Sequence, residues 1–224
     1  MAKKADIKQD ELENVQEALS KSEAFIEKNQ KQIIIGVSVI ILIVLVVLGF
    51  KNYYLQPREI EAENEMSKSQ SFFTVDSFKI AVEGNANSIG FKEIVSEYSL
   101  TKSGNLAAAY AGICYYKLGK YNDAINYLSQ FDSDDSYMST VVIGLTGDAY
   151  VELGDKSKAL SYFEKAADTK NEIISPIYIK KAAVIYESQN KADKALKLYN
   201  EIKNDYPKSS EASDIDKYIA RIQK

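Results

Sequence analysis

The sequence contains no histidine, no tryptophan, a single cysteine and only two arginines among its 224 residues. The absence of histidine removes the commonest general acid or base and the commonest zinc ligand. The lone cysteine, Cys114, cannot form an internal disulfide. With a net charge of −4 and so few arginines, the chain lacks the cationic surface that nucleic-acid binding requires. Apolar residues nevertheless make up 46% of the chain, which is enough to bury a core.

Motifs for catalysis or cofactor binding are also missing. The sequence has no CxxC pair and no phosphate-binding loop of the GxxxxGKS or GxGxxG kind. The acidic run of Asp132, Asp134 and Asp135 lacks the central glycine and terminal glutamate of an EF-hand, so we interpret it as a solvated loop. Cys114 is predicted to be a buried, inert thiol. We therefore predict a protein that is not an enzyme and has no cofactor, metal or small-molecule substrate.

One long apolar run lies near the N-terminus. Residues 33–50 have the sequence IIIGVSVIILIVLVVLGF, carry no charge and are bracketed by Lys31 and Lys51. As a helix, this run would span about 27 Å, close to the thickness of a hydrocarbon core. A buried core helix would normally show a polar face, but Ser38 is the only polar residue in this run. A signal peptide would end at a small-residue cleavage site, and residues 50–53 make a poor one. We therefore predict a single retained transmembrane helix over 33–50.

The flanking charges bear on the orientation of this helix. Close to the run the cations on the two sides are balanced. The full N-terminal tail adds Lys3, Lys4 and Lys8, which tips the positive-inside rule toward a cytoplasmic N-terminus. The large C-terminal region would then lie outside the cytoplasm, in the periplasm of a Gram-negative cell.

The N-terminal tail, residues 1–32, is predicted to be a cytoplasmic amphipathic helix. Apolar residues recur in it at roughly helical spacing: Leu12, Val15, Leu19 and Ile26. Two interpretations of this tail stay open. It is either a docking helix for a cytoplasmic partner or a solvated leader without a function of its own.

Internal repetition organises the rest of the chain. Three sets of landmark residues recur at the same intervals of 35 and 36 residues. They are Tyr115, Tyr150 and Tyr186; Gly119, Gly154 and Asn190; and Ala124, Ala159 and Ala195. Each copy resembles the tetratricopeptide repeat (TPR) consensus, which has small residues where two helices cross, a Leu-Gly turn, an alanine on the second helix and an aromatic residue four positions later.

This resemblance implies an all-α fold, in which a single transmembrane helix is followed by a TPR-type right-handed α-solenoid. Three TPR repeats are assigned to residues 105–209. Residues 51–104 are predicted to form a degenerate first TPR-like unit, because FKEIVSEYSLTKSG parallels YNEIKNDYPKSSEA three periods downstream. Residues 82–87 are expected to form a loop or short insertion within that unit. Residues 210–224 are expected to form the polar capping helix that solenoids need for solubility.

The first helices of TPR units line a concave face, and the consensus geometry implies which residues point into it. The candidate groove residues are Leu106, Ala109, Ile113 and Tyr116 in the first clear copy; Val141, Gly144, Asp148 and Val151 in the second; and Ile177, Lys180, Val184 and Glu187 in the third.

The composition of this face bears on its ligand. One TPR subclass clamps the C-terminal carboxylate of chaperones with Lys and Asn, but Ile113, Asp148 and Val184 occupy the positions where such a clamp carries Asn. An apolar groove with tyrosine favours the recognition of extended or apolar polypeptide instead. The alternative is that Tyr116 and its neighbours simply pack against another helix.

The whole layout resembles a family of bacterial envelope proteins. A short cytoplasmic tail, one anchor and an outer TPR region match the YfgM-type ancillary subunit of the SecYEG translocon. The stretch SFKIAVEGNANSIGFKEIVSEYSLTKSG is also similar to TPR proteins of Bacteroidota. The resemblance implies a bacterial inner-membrane, single-pass protein with a periplasmic TPR domain.

The same resemblance implies a function in protein transport. The protein would be a protein–protein interaction scaffold whose partners are the SecYEG translocon and a membrane-anchored periplasmic chaperone, or emerging polypeptides. The alternative is a structural TPR coordinator of envelope or cell-division assembly. A homo-oligomer is compatible with either role.

Overall fold

The computed structural model describes residues 2–223, with the side chains of residues 20–223. The chain divides into two compact units, Met1–Gln56 and Pro57–Lys224. The backbone of the N-terminal tail is helical. The amphipathic face predicted for this tail depends on Leu12, Val15 and Leu19, and it lies outside the described side chains.

The first unit consists of one long helix, α1 (Ala2–Gly49), and the π-helical segment Phe50–Leu55. The described residues contain one helical stretch, Ser20–Thr74, that is long and apolar enough to cross a membrane. Its most apolar window has a mean hydropathy of 3.4, and none of that window is buried within the protein. The helix therefore does not serve as a core helix of this chain.

The π-helical segment precedes a proline. The N–H of Gln56 donates to the carbonyl of Lys51, five residues earlier, as a π-helix requires. Pro57 follows directly and has no N–H to donate, so the regular α-helical ladder is interrupted at this point. Within the segment the rings of Phe50 and Tyr54 stack with their centroids 5.1 Å apart.

The second unit opens with three helices and a small hairpin. The hairpin pairs Gly84–Asn85 with Ser88–Ile89, and its turn is closed by the side chain of Asn85, which accepts a hydrogen bond from the N–H of Asn87 at 2.8 Å. Most of the loop expected over residues 82–87 is therefore a hairpin. Val82 lies instead in the preceding helix, where its side chain is buried in the core. The helices are α2 (Gln56–Thr74), α3 (Phe78–Glu83) and α4 (Phe91–Glu97).

Six helices follow in consecutive pairs, and a C-terminal segment ends the described chain. Each pair packs as a helical hairpin, and each second helix packs on the next first helix. The pairs are α5 (Lys102–Lys117) with α6 (Tyr121–Leu128), α7 (Ser136–Glu152) with α8 (Lys156–Asp168), and α9 (Ser175–Ser188) with α10 (Ala192–Asp205). The C-terminal segment is a 3₁₀ turn, Glu211–Asp214, followed by α11 (Ile215–Ile222).

The first helix of every pair ends in the same way. Gly119, Gly154 and Asn190 have φ angles of +72°, +79° and +58°, so each Leu-Gly turn, and its counterpart at Asn190, ends the helix in a left-handed cap. At Gly119 the N–H of Lys120 donates to the carbonyl of Tyr115 at 2.9 Å, and the N–H of Gly119 donates to that of Tyr116 at 3.0 Å. These two bonds define a Schellman motif, and equivalent bonds recur at the other two caps.

Small and aromatic residues hold each pair together. Ala124, Ala159 and Ala195 are fully buried where the second helix meets the first. Two pairs of tyrosines stack across the helices, Tyr115 on Tyr127 with ring centroids 5.3 Å apart and Tyr150 on Tyr162 at 5.4 Å. The third pair has Leu198 at the corresponding position.

Candidate functional site

An open groove lies on the first helices of the second and third pairs. It has a volume of about 440 Å³, within the range typical of ligand sites. We call it the α7–α9 groove. Five of its lining residues are predicted from the sequence: Asp148, Val151, Ile177, Lys180 and Val184. Its other lining residues are Phe163, Lys181, Ile185 and Glu211.

The accessible floor of the α7–α9 groove is apolar. Val151 and Val184 are 41% and 45% exposed, although both are large aliphatic side chains on the same surface. Ile177 beside them is half-buried, and Phe163 and Ile185 are buried. Burying an aliphatic side chain completely is worth about 1.5–3 kcal/mol, so a ligand that covers this floor gains binding energy from it.

An ion pair between Asp148 and Lys181 lies within the groove. The Lys181 Nζ is 2.7 Å from both carboxylate oxygens of Asp148. The same ammonium lies 5.1 Å from the ring centroid of Tyr178 and 5.7 Å from that of Phe163. Burial raises the pKa of Asp148, and the hydrogen bond from Lys181 opposes this rise. The pair links α9 to α7 and fixes Lys181 beside the groove.

The C-terminal segment borders the groove and contacts it at Lys180 of α9. The Lys180 Nζ donates to Asp214 Oδ1 at 2.7 Å and lies 4.4 Å from the ring centroid of Tyr218. Glu211, from the 3₁₀ turn of the same segment, is itself a lining residue. The positive charge of Lys180 is therefore neutralised by the protein rather than offered to a ligand.

Glu187 does not line the groove and is engaged elsewhere. Its carboxylate accepts two hydrogen bonds from Arg221, at 2.8 Å and 2.6 Å, and one from the hydroxyl of Tyr199 at 3.0 Å. The hydrogen bonds from Arg221 hold the pKa of Glu187 below its usual value. Glu187 thus attaches the C-terminal helix to the third pair.

The candidates of the first repeat lie apart from this groove. Ala109 is fully buried in a cluster with Leu128 and Val142, so it presents no surface to a ligand. Leu106 and Tyr116 are half-buried against the core cluster of α2 to α6, and Tyr116 also meets the ring of Tyr121 edge-on at 5.6 Å.

The remaining candidates are buried or half-buried residues that do not line the groove. Ile113 is half-buried and does not line the groove. Val141 packs against the cluster that contains Tyr178, and Gly144 is buried directly beneath the Tyr178 ring. As inner-face residues these stay predictions, whereas five candidates of the second and third repeats line one groove: Asp148, Val151, Ile177, Lys180 and Val184.

Four lining residues were not among the predicted ones: the buried Phe163 and Ile185 and the charged Lys181 and Glu211. Lys181 lies four residues after Ile177 and three before Val184, so the helical spacing of the predicted residues would have included it. Glu211 reaches the groove only because the C-terminal segment packs back on α9, and no local pattern reports that placement.

Cys114 and the acidic residues were the other candidates that the sequence offered. Cys114 is fully buried, as predicted, and burial raises the pKa of its thiol to about 12. Across the part of the chain that the structure describes, no group of three or more His, Cys, Asp or Glu residues is arranged to hold a metal ion.

Helix pairs at a 35–36-residue period, with small residues at the crossings, define a helical repeat protein. Comparison with known protein families identifies the repeats. Residues 110–134 and 181–209 match one tetratricopeptide repeat family, and residues 144–172 match a second one. The chain is thus an all-α protein in which a long apolar helix precedes TPR repeats. Comparison with curated proteins gives no significant match.

Proposed function

We propose that this protein is a membrane-anchored scaffold whose TPR array binds protein partners through the α7–α9 groove. The observation that carries the proposal is the convergence of Val151, Ile177 and Val184 into one accessible apolar floor. TPR arrays are typically interaction modules rather than enzymes.

The anchor is proposed to be residues 33–50, with the N-terminus in the cytoplasm and the repeats in the periplasm. The uncharged run and its complete lack of burial support spanning. The lysines of the N-terminal tail support the orientation. Protease treatment of spheroplasts tests it: the chain after about residue 55 should be cleaved from outside, and its protection until lysis would contradict this topology.

The partners that we propose are the SecYEG translocon and a membrane-anchored periplasmic chaperone, or polypeptides that emerge between them. Support comes from the arrangement of tail, anchor and outer repeats, together with the apolar groove. The proposal places the protein in the bacterial inner membrane.

Site-specific photocrosslinking in intact cells tests the partners and the groove together. A photoreactive residue in place of Val184 should capture SecY or a periplasmic chaperone. The same residue in place of Val75, which is 67% exposed outside the groove, serves as the matched control. Capture of cell-division or envelope-assembly proteins at position 184, without translocon subunits, would favour the structural coordinator instead.

A further inference from the structure

The charges around the α7–α9 groove are unequal once internal ion pairs are counted. Lys180 and Lys181 are both neutralised, by Asp214 and Asp148 respectively. Glu211 lines the groove, and Glu152 directly follows the floor residue Val151. Among the described residues neither glutamate forms an ion pair. The groove therefore keeps uncompensated negative charge beside an apolar floor.

The end of α7 adds to the negative potential around Glu152, and two neighbouring tyrosines respond to the carboxylates there. Glu152 is the last residue of α7, where the unpaired carbonyls of the helix end carry partial negative charge. After the effect of burial, the carboxylates of Asp148 and Glu152 also raise the pKa of Tyr116. Burial, the charge of Glu152 and a hydrogen bond to its carboxylate raise the pKa of Tyr121.

We propose that the groove binds an extended peptide in which a large aliphatic side chain is flanked by lysine or arginine. The aliphatic side chain covers Val151 and Val184, and the basic neighbours lie beside Glu211 and Glu152. This ligand class rests on the proposed function of the groove as a protein-binding site. It narrows the proposed ligands from apolar polypeptides in general to those that carry basic residues beside the apolar one.

An acidic peptide fits the same groove poorly. To reach Lys181 it would have to displace Asp148, which already satisfies that ammonium through both oxygens at 2.7 Å. To reach Lys180 it would have to displace Asp214. It would also approach Glu211, and like charges across an interface oppose binding. A neutral peptide gains the apolar contact alone.

Three fluorescent decapeptides with one central leucine test this inference on the full chain in lipid nanodiscs. Their flanks are lysine, glutamine or glutamate, and Kd is measured by fluorescence anisotropy at low and high salt. The lysine peptide should bind about three- to tenfold more tightly than the glutamine peptide, since each exposed charge pair contributes modestly. The glutamate peptide should bind most weakly, and the differences should shrink at high salt.

Variants separate the apolar contact from the charge preference. Val184→Asp should abolish binding of every peptide, whereas Val75→Asp, at a more exposed valine outside the groove, should leave binding unchanged. Glu211→Gln combined with Glu152→Gln should remove the preference for lysine but keep the affinity for the glutamine peptide.

The outcomes separate this inference from the proposed function. Equal binding of all three peptides, lost in Val184→Asp, would overturn the charge preference but leave the groove a binding site. Tightest binding of the glutamate peptide would overturn the charge preference in the same way. Binding that survives Val184→Asp, or no binding at all, would overturn both. Displacement of the peptide at high protein concentration would mean that a second copy occupies the groove, which also overturns the inference.

Discussion

At the scale of single residues, glycines allow the repeat helices to approach each other. A methyl group on Gly144 would overlap the ring of Tyr178, and one on Gly112 would overlap the side chain of Leu128. Both neighbouring side chains are buried, so they have little room to move. These glycines are therefore required for packing rather than for a special backbone angle.

Gly144→Ala should destabilise the repeats by about 1–3 kcal/mol, because the buried Tyr178 ring must shift and strain its surroundings. Urea denaturation followed by circular dichroism measures the free energy of unfolding. Gly36→Ala is the matched control, since nothing lies within 4 Å of the methyl group that it adds. An unchanged free energy in Gly144→Ala would mean that the ring relocates without cost.

Buried tyrosines predict a loss of stability at alkaline pH. Burial raises the pKa of Tyr115 to about 12, and a hydrogen bond to Glu164, followed by burial, raises that of Tyr186 to about 12. Above pH 10 the unfolded chain releases these protons while the folded chain keeps them, so folding becomes less favourable as pH rises. The stabilisation should be complete below pH 10 and decline between pH 10 and 12.

Urea titrations at pH 8, 10 and 11 measure this decline. Tyr115→Phe keeps the ring that stacks on Tyr127 but removes one titrating hydroxyl, so its free energy of unfolding should fall less between pH 10 and 11. An identical alkaline decline in Tyr115→Phe and the unmodified protein would exclude Tyr115 as a contributor.

At the scale of elements, a carboxylate from another helix binds the N-terminus of α5. Glu59 on α2 accepts hydrogen bonds from the N–H groups of Lys102 and Ser103, at 2.7 Å and 3.0 Å, and from the Ser103 hydroxyl at 2.7 Å. A negative group at a helix N-terminus satisfies its free N–H groups and complements the helix dipole. One side chain thus joins α2 to the first repeat.

Glu59→Ala should cost about 1–2 kcal/mol of unfolding free energy, because the first N–H groups of α5 lose their partner. Glu63→Ala, on the same helix but exposed, should cost far less. Hydrogen exchange should also quicken at the amides of Lys102 and Ser103. Unchanged exchange at these amides would mean that water replaces the carboxylate without loss.

At the scale of the whole molecule, the C-terminal helix closes the apolar end of the array. Ile215 is 1% exposed and packs in a cluster with Ile179, Tyr199 and Ile202. In a repeat array each unit is stabilised mainly by its neighbours, so damage at one end should open that end first.

Ile215→Asp should destabilise the third repeat by about 3 kcal/mol or more, since it buries an unpaired charge. Hydrogen exchange should quicken in α9 and α10 before it does in α5 and α6. Ala220→Asp, at an exposed position of the same helix, should change neither. Uniform acceleration across all repeats would show that the array unfolds as one unit.

The sequence and the structure agree best where a local pattern determines the geometry. The 35–36-residue spacing located the helix pairs, and the Leu-Gly pairs located the caps at Gly119 and Gly154, because only a left-handed residue completes a Schellman motif there. The hairpin after α3 was not predicted, since its two-residue strands are too short to form a pattern. The lining of the α7–α9 groove was predicted in part: the resemblance to the TPR consensus implied Val151 and Val184, whereas the position of Glu211 depends on tertiary packing.

The stacked tyrosines of the first two repeats also provide an intrinsic spectroscopic probe of the array. The chain has no tryptophan, so tyrosine dominates its near-ultraviolet spectrum. Closely stacked rings couple their electronic transitions, and such pairs exist at Tyr115–Tyr127 and Tyr150–Tyr162 but not at the corresponding place in the third repeat, where Leu198 replaces one ring. Dichroism from these couplets would report the melting of the first two repeats without any added label, while the Tyr199–Tyr218 pair, with centroids 5.3 Å apart, would report the contact of the third repeat with the C-terminal helix.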